Sequence, residues 1–167
     1  KNVMLDVLRP QWDRLRKALD TIRNDYDYCI IDCPPDIDMA TVNALAAADW
    51  VIIPVDCDEW AMDGMSEICE QVDAIRDAYN PQLEVMGVLA TKYTRGRYSV
   101  DTINEIANMD LPAFRNPDNS ILRIDYSVKV KEAKARHLPV HKVCRNIKTS
   151  AQYKALAHLV KKCVEGE

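Results

Sequence analysis

The sequence predicts an α/β domain in which a mostly parallel sheet lies between two layers of helices. Three runs, at residues 26–31, 50–55 and 83–91, are apolar without alternation, which is typical of strands buried on both faces. Stretches with apolar residues at helical spacing separate these runs. Strands that alternate with helices form parallel sheets through right-handed crossovers, so the prediction is a three-layer α/β/α fold.

Each element follows from local periodicity and from turn residues. Helices are predicted at residues 11–24, 38–48, 61–78, 99–109, 126–136 and 150–164. A short strand is expected near 113–114, and an extended piece at 139–143. Asn80-Pro81 ends the third helix, because proline cannot continue one.

The composition fits one globular domain over residues 1–167, with 48% hydrophobic and 29% charged residues. The four glycines, at positions 64, 87, 96 and 166, cannot form a G-x-x-x-x-G-K phosphate loop. The six cysteines form no C-x-x-C pair, which makes a zinc site improbable and favours a reduced, cytoplasmic setting. Because the chain opens on Lys1 rather than Met, we expect part of a longer protein, incomplete at its N-terminus.

The net charge of −4 conceals a strong asymmetry. Residues 1–91 hold 7 Lys and Arg against 18 Asp and Glu, whereas residues 92–162 hold 15 against 6. Such a split indicates a polyanionic partner for the basic half, or simply lysine-rich solvated helix faces.

The carboxyl ends of the predicted strands select three segments, 32–38, 56–60 and 91–97, because parallel sheets carry their functional residues there. Asp32 directly follows an apolar run. This is the Walker B pattern of P-loop NTPases, in which the carboxylate holds Mg²⁺ directly or through water. The alternative is an aspartate that only caps the next helix.

Several motifs in the same order resemble the ParA/Soj/MinD group of deviant Walker ATPases. They are D-Y-C-I-I-D-C-P-P at 27–35, T-V-N-A-L at 41–45, A-A-D at 47–49, V-I-I-P-V at 51–55, N-P at 80–81, G-V-L-x-T at 87–91, and Glu132-Ala133 with Pro139. The resemblance covers about residues 12–160 and is closer to ParA than to MinD.

The resemblance implies an Mg²⁺- and ATP-dependent homodimer that binds DNA non-specifically. A centromere-binding ParB-type protein would stimulate its ATPase, and together they would partition plasmids or chromosomes in the nucleoid-associated cytoplasm, without membrane attachment. The family's Walker A loop has no counterpart in these residues, so the chain resembles the carboxyl-terminal portion of such a protein.

The resemblance also assigns site residues by position. Asp32 would be the Mg²⁺-associated catalytic carboxylate. Residues 33–38, with Cys33, Pro34 and Asp36 as the candidate contacts, would form the switch that senses the γ-phosphate. Thr91 and Lys92 lie where such folds contact the base. Asp125, Tyr126 and Ser127 replace the family's usual P-R-N in the second base-contacting loop, and His137 replaces the glycine of a G-K-P turn.

Candidate DNA contacts come from the basic half. Arg95 and Arg97 follow the third predicted strand, where ParA proteins place a DNA-contacting arginine. The same surface could extend through Arg123, Lys129, Lys131, Lys134 and Arg136. Contacts of this kind go to phosphates and give salt-sensitive binding without sequence preference.

Two other interpretations compete with the ATPase. Asp32, Asp56 and the Thr91-Lys92 pair are loosely arranged as in a phospho-receiver, although the acidic pair expected after its first strand is missing. The other is a non-catalytic interaction module. Because the 167 residues contain no phosphate loop, we expect this polypeptide alone to lack ATPase activity.

Overall fold

The computed structural model describes residues 11–34, 38–59 and 61–166, with the backbone alone at 61–63. Its helices are α1 Arg14–Asp20, α2 Met39–Ala47, α3 Ala61–Tyr79, α4 Arg97–Asn108, α5 Val128–Ala135, α6 Val140–Val143 and α7 Lys148–Glu165. Its strands are β1 Trp50–Asp56, β2 Glu84–Tyr93 and β3 Arg123–Asp125. The chain divides into two compact units, Lys1–Val51 with Ser66–Glu84, and Ile52–Met65 with Val85–Glu167.

The strands form one sheet in the order β1-β2-β3, and β2 and β3 run parallel. The predicted strands at 50–55 and 83–91 are confirmed as β1 and β2. Ala90 pairs with Arg123 and Tyr93 pairs with Asp125, so β2 carries one extra residue between the two pairs. Lys92 lies in this bulge and has φ of +52°.

Two motif asparagines organise the first unit. Asn43 of α2 donates its side-chain amide to the carbonyl oxygens of Gln11 (2.6 Å) and Met39 (2.8 Å). Its Oδ1 accepts from the backbone N–H of Leu15 at 3.3 Å. Asn43 therefore fastens the start of α1 to α2.

Asn80 serves the other end of α2. Its Nδ2 donates to the carbonyl oxygens of Leu45 (2.9 Å) and Ala48 (2.7 Å). Asn80 is only 4% exposed, so these bonds satisfy carbonyl groups that a helix end leaves without partners. The family's N-P motif has a structural role here.

The strand predicted at residues 26–31 is wrong. Residues 26–34 are irregular, and Ile30 is 94% exposed while Tyr26 is 68% exposed. An apolar run becomes a strand only when a neighbouring strand accepts and donates its backbone hydrogen bonds, and no described residue pairs with this segment in a ladder. The helix predicted at 11–24 is correspondingly shorter, with α1 followed by a 3₁₀ turn at Arg23–Asp25.

The second unit has its own core. It consists of Met86, Leu89, Phe114, Leu122 and Ile124, with Ile52 and the α7 residues Ala155, Leu156, Leu159 and Val160 packed against it. Gly87 lies beside this core, where a Cβ would approach the Phe114 ring to 3.1 Å. The short strand predicted near 113–114 is not formed, because the structure has only a single parallel bridge between Ala113 and Val88 there.

The turn after α5 confirms one prediction and corrects another. His137 has φ of +52°, the conformation expected where the family has glycine. The extended piece predicted at 139–143 is wrong, because α6 begins directly after Pro139. Proline fixes a helical φ and is common at helix starts. In the described ranges no helix combines the length and apolarity needed to cross a bilayer.

Candidate functional site

Asp32 lies in the irregular segment of the first unit, with its side chain exposed. Its carboxylate makes no hydrogen bond or ion pair with any residue that the structure describes. Burial, and then the charge of Asp32, raise the pKa of the neighbouring Cys33 thiol, so Cys33 is protonated at neutral pH. Pro34 is exposed, and Asp36 lies outside the described residues.

Asp38, the last acid of the predicted switch, caps α2. Its Oδ1 accepts from the backbone N–H groups of Ala40 at 2.8 Å and Thr41 at 3.1 Å. An aspartate at this position pairs with N–H groups that have no partner within the helix, and the positive end of the helix dipole stabilises its charge. The capping role that the sequence allows for Asp32 thus belongs to Asp38.

A cluster of Asp56, Thr91 and Lys92, called here the strand-end cluster, joins the ends of β1 and β2. Asp56 Oδ1 accepts from Thr91 Oγ1 at 2.6 Å, and Asp56 Oδ2 is ion-paired with Lys92 Nζ. Thr91 Oγ1 also lies 3.2 Å from the carbonyl oxygen of Val55. The two side chains assigned to base contact, Thr91 and Lys92, are therefore both bonded to Asp56.

Electrostatics in the strand-end cluster favour the charged pair. Burial acts to raise the pKa of Asp56, but hydrogen bonds from Lys92 and Thr91 and the charge of Lys92 outweigh it, so the pKa lies below its ordinary value. The hydrogen bond to Asp56, followed by its charge, raises the pKa of Lys92. Burial and the Asp56 charge raise the pKa of Cys57 to about 11.

The loop after β2 is held by a residue that sequence reasoning did not single out. Ser99 is 1% exposed. Its hydroxyl donates to the carbonyl oxygen of Cys57 at 3.2 Å and accepts from the backbone N–H of Thr94 at 3.1 Å. A serine in a helix carries no signal of such a role.

Arg95 and Arg97 project from this loop into solvent. The Arg97 side chain is 91% exposed, with Nε 3.5 Å from Asp101 Oδ2 on the same helix. Arg95 is also exposed, and it has no ion-pair partner in the part of the chain that the structure describes. Both guanidinium groups are available to an external anion.

The second predicted base-contacting loop is occupied by internal bonds. Asp125 is ion-paired with Lys148 (2.6 Å) and accepts from Gln152 Nε2 at 3.0 Å. Burial acts to raise the pKa of Asp125, but the bonds from Lys148 and Gln152 and the charges of Lys148 and Arg123 lower it overall. Tyr126 is 48% exposed, with Lys131 Nζ 5.5 Å from its ring centroid.

The remaining candidate DNA contacts differ in availability. Arg123 stacks 3.9 Å over the Tyr93 ring and lies 3.7 Å from Asp125. Lys129 is paired with Glu132 at 2.8 Å. Lys131 and Lys134 are exposed. The structure thus ties Arg123 and Lys129 to neighbouring side chains. Arg95 is exposed and has no ion-pair partner among the described residues, and Arg97 keeps its side chain 91% exposed while one face meets Asp101.

The comparisons with known proteins agree with this fold. Residues 2–85 match the AAA domain family model. ParA of Caulobacter vibrioides, a chromosome partitioning protein, is 36% identical over 129 residues, which are 76% of this chain and 47% of that protein. Soj of Bacillus subtilis, a sporulation initiation inhibitor, is 39% identical over 94 residues, 56% of this chain and 37% of that protein. The chain belongs to the AAA domain family, among the partition ATPases of ParA/Soj type.

Solved structures give the same α/β fold, that of P-loop NTPases. Cobyrinic acid a,c-diamide synthase from Mycobacterium smegmatis, with bound ATP analogue and magnesium, has a TM-score of 0.77 at 27% identity, covering 99% of this chain and 60% of that one. MinD from Pyrococcus horikoshii, complexed with Mg-ADP, has a TM-score of 0.71 at 17% identity, covering 92% and 58%. The chain spans about half the length of the curated ParA of Caulobacter, and less of Soj.

Proposed function

We propose that this chain supplies the magnesium carboxylate and the DNA-binding arginines of a ParA-type partition ATPase. The complete protein binds Mg-ATP, forms an ATP-dependent homodimer, binds DNA without sequence preference and responds to a ParB-type partner. The observation that carries the proposal is the exposed carboxylate of Asp32, at the end of the family's D-Y-C-I-I-D run, to which no described residue bonds. Family membership speaks against the phospho-receiver interpretation.

The residues present fit a magnesium ion in one respect. Mg²⁺ prefers oxygen ligands and keeps several waters. The Asp32 carboxylate offers oxygen atoms to which no described residue bonds. When bound, the ion would neutralise phosphate charge. Asp32 would hold it, directly or through one of its waters.

The residues assigned to the base fit less well. The side chains of Thr91 and Lys92 are bonded to Asp56, and Asp125 is bonded to Lys148 and Gln152. These side chains are therefore engaged within the protein and do not enter the proposal as base contacts. The isolated 167-residue polypeptide then acts as an interaction module, and catalysis belongs to the complete protein.

The DNA-binding part rests on Arg95 and Arg97, which are exposed at the end of a loop that Ser99 holds in place. A contact to phosphate releases counterions, so the logarithm of affinity falls linearly with that of salt concentration. Each arginine that touches one phosphate contributes about one unit to that slope.

Fluorescence anisotropy with a random-sequence duplex tests this proposal directly. We expect weak binding by the 167-residue polypeptide that salt suppresses, and a salt slope reduced by about two in the Arg95→Ala, Arg97→Ala double variant. Arg14→Ala with Arg23→Ala, two exposed arginines of the acidic half, is the matched control. Binding that survives high salt, or that the Arg95 and Arg97 changes leave unaltered, would contradict the proposal.

A further inference from the structure

An apolar groove lies between the end of α5, the short helix α6 and the first turns of α7, all within the second unit. Its volume is about 380 Å³. Its apolar lining is Val130, Ala133, Leu138, Pro139, Val140 and Tyr153, and Lys134 and His141 stand at its rim. We call it the α5–α6 groove.

The backbone turn at His137 builds this groove. The backbone N–H of Leu138 donates to the carbonyl oxygen of Ala133 at 3.1 Å. The backbone N–H of His137 donates to the carbonyl oxygen of Lys134 at 3.0 Å. These two bonds, with His137 at positive φ, define a Schellman motif, which brings the residue after the turn beside the last turn of the helix. Leu138 is consequently held against Ala133 while remaining 47% exposed.

The surroundings of the groove are strongly basic. Residues 126–164 contain ten Lys and Arg, all three histidines of the chain, and one carboxylate, Glu132. Glu132 is paired with Lys129. Just outside this range, Asp125 and Glu165 pair with Lys148 and Lys161. Among the described residues, Lys134, Arg136, Lys142 and Lys154 have no ion-pair partner, so these four keep an uncompensated positive charge.

We propose that the α5–α6 groove docks an amphipathic helix of another protein, with an apolar stripe flanked by Asp and Glu. Helix-in-groove recognition uses apolar anchors at i, i+3, i+4 and i+7 on a half-exposed apolar floor, which Leu138, Val140 and Tyr153 provide. Acidic flanks complement the basic rim and speed association. DNA contacts go mainly to phosphates and would leave this apolar floor unused.

A second copy of this chain fits the groove less well. Its acidic helix α3 carries Glu67, Glu70, Asp73 and Asp77. However, the apolar face of α3, with Met65, Val72 and Ile75, is already buried in its own fold. A partner whose apolar stripe is free therefore matches the groove better. This inference stands apart from the proposed ATPase, since it uses none of the residues assigned to magnesium.

The test uses the 167-residue polypeptide and a fluorescein-labelled 18-residue peptide, with Leu at helical spacing and Glu elsewhere. The control peptide has the same composition in scrambled order. We expect the striped peptide to bind at least about tenfold more tightly in anisotropy titrations, because only it presents a continuous apolar stripe. In ¹⁵N spectra, the shifts should concentrate at residues 133–143.

Point variants locate the site. Leu138→Ser should weaken binding of the striped peptide about tenfold, and Lys134→Glu should weaken it at low salt. Val164→Ser, at a position 42% exposed on α7, and Lys162→Glu are the matched controls and should bind as the parent does. Circular dichroism shows whether each variant folds. If Leu138→Ser loses structure, Lys134→Glu still tests the basic rim of the groove.

Several results would overturn the docking proposal. Equal binding of the scrambled peptide, or unchanged binding by both Leu138→Ser and Lys134→Glu, would show that no apolar groove is used. The proposal also fails if the peptide does not bind while a random duplex, or vesicles containing phosphatidylserine, bind in a manner that depends on Lys134. The face would then serve a nucleic acid or a membrane surface.

Discussion

The ammonium group of Lys92 is ion-paired with the carboxylate of Asp56, and the backbone of Lys92 has a φ of +52°. The positive φ arises in the bulge of β2, where one extra residue separates the pairs made by Ala90 and Tyr93. Backbone strain of this kind persists only where surrounding contacts impose it. The ion pair with Asp56 is one such contact at Lys92.

Asp56→Asn tests the cluster through pH. The folded-state pKa of Asp56 is depressed, so its contribution is present above the unfolded pKa of about 3.9 and is lost as the pH falls through the lower folded value. Because both side chains are partly exposed, we expect Asp56→Asn to lower the free energy of unfolding at pH 7 by about 1 kcal/mol or less. In urea titrations, this difference should shrink below about pH 4.

Lys92, the other member of the pair, determines the pH above which the ion pair no longer stabilises the fold. The folded-state pKa of Lys92 is raised, so its contribution is present below about pH 10 and is lost as the pH rises through the folded value.

Asp110→Asn, at an exposed position, is the control for Asp56→Asn and should change the free energy of unfolding by under about 0.5 kcal/mol. A difference for Asp56→Asn that is constant from pH 7 down to pH 2 would contradict the pairing.

Asn80→Ala should destabilise the chain strongly. The buried amide of Asn80 satisfies the carbonyl oxygens of Leu45 and Ala48, and leaving buried acceptors unpaired costs about 1–3 kcal/mol. Urea titration would measure the loss. Asn104→Ala, at an exposed position of α4, should have almost no effect, and equal stability of the two variants would refute the capping role.

Isothermal calorimetry tests whether this polypeptide alone binds nucleotide. None of the four glycines belongs to a phosphate loop, so we expect ATP affinity weaker than millimolar and no measurable hydrolysis. Asp20→Ala, an exposed carboxylate of α1, is the matched control for Asp32→Ala. Millimolar or tighter binding that only Asp32→Ala abolishes would show that Asp32 holds the ion without a glycine-rich cradle.

Periodicity predicted the elements that bury a long apolar face. β1, β2, α2, α3 and α7 lie within a few residues of their expected bounds. The run at 26–31 failed, because apolarity alone does not provide the partner that a strand requires. β3 was missed because Arg-Ile-Asp is short and mostly charged, and only its pairing with β2 makes it a strand.

The candidate site was predictable in position but not in bonding. The rule for parallel sheets selected Thr91 and Lys92 at the end of β2. Their bonds to Asp56 form beside a bulge in β2, and no sequence pattern predicts that bulge. Similarly, the pattern drew attention to Asp32 as a possible helix cap, whereas the cap is Asp38. Local sequence identifies groups capable of bonding, and tertiary geometry decides which of them bond.

Gly87→Ala and Gly64→Ala should change stability in opposite directions. A Cβ at Gly87 would lie 3.1 Å from two atoms of the buried Phe114 ring, and overpacking of a core costs about 1–3 kcal/mol. Gly64 is helical with open space around it, so alanine there should stabilise by about 0.5–1 kcal/mol. Thermal melts measure both, and Phe114→Leu should relieve part of the Gly87→Ala loss. Destabilisation by Gly64→Ala comparable to that by Gly87→Ala would contradict this explanation.

His137→Gly should stabilise the chain. Non-glycine residues in the left-handed region carry a cost of about 1–2 kcal/mol, and His137 occupies that region at the end of α5. Glycine has no Cβ and so avoids this cost, but it increases the entropy of the unfolded chain. The expected net gain in the free energy of unfolding is about 1 kcal/mol. His158→Gly, within α7, is the matched control and should lose about as much, because glycine disfavours a helix interior. If urea titrations show that both changes destabilise, His137 makes contacts that outweigh its backbone strain.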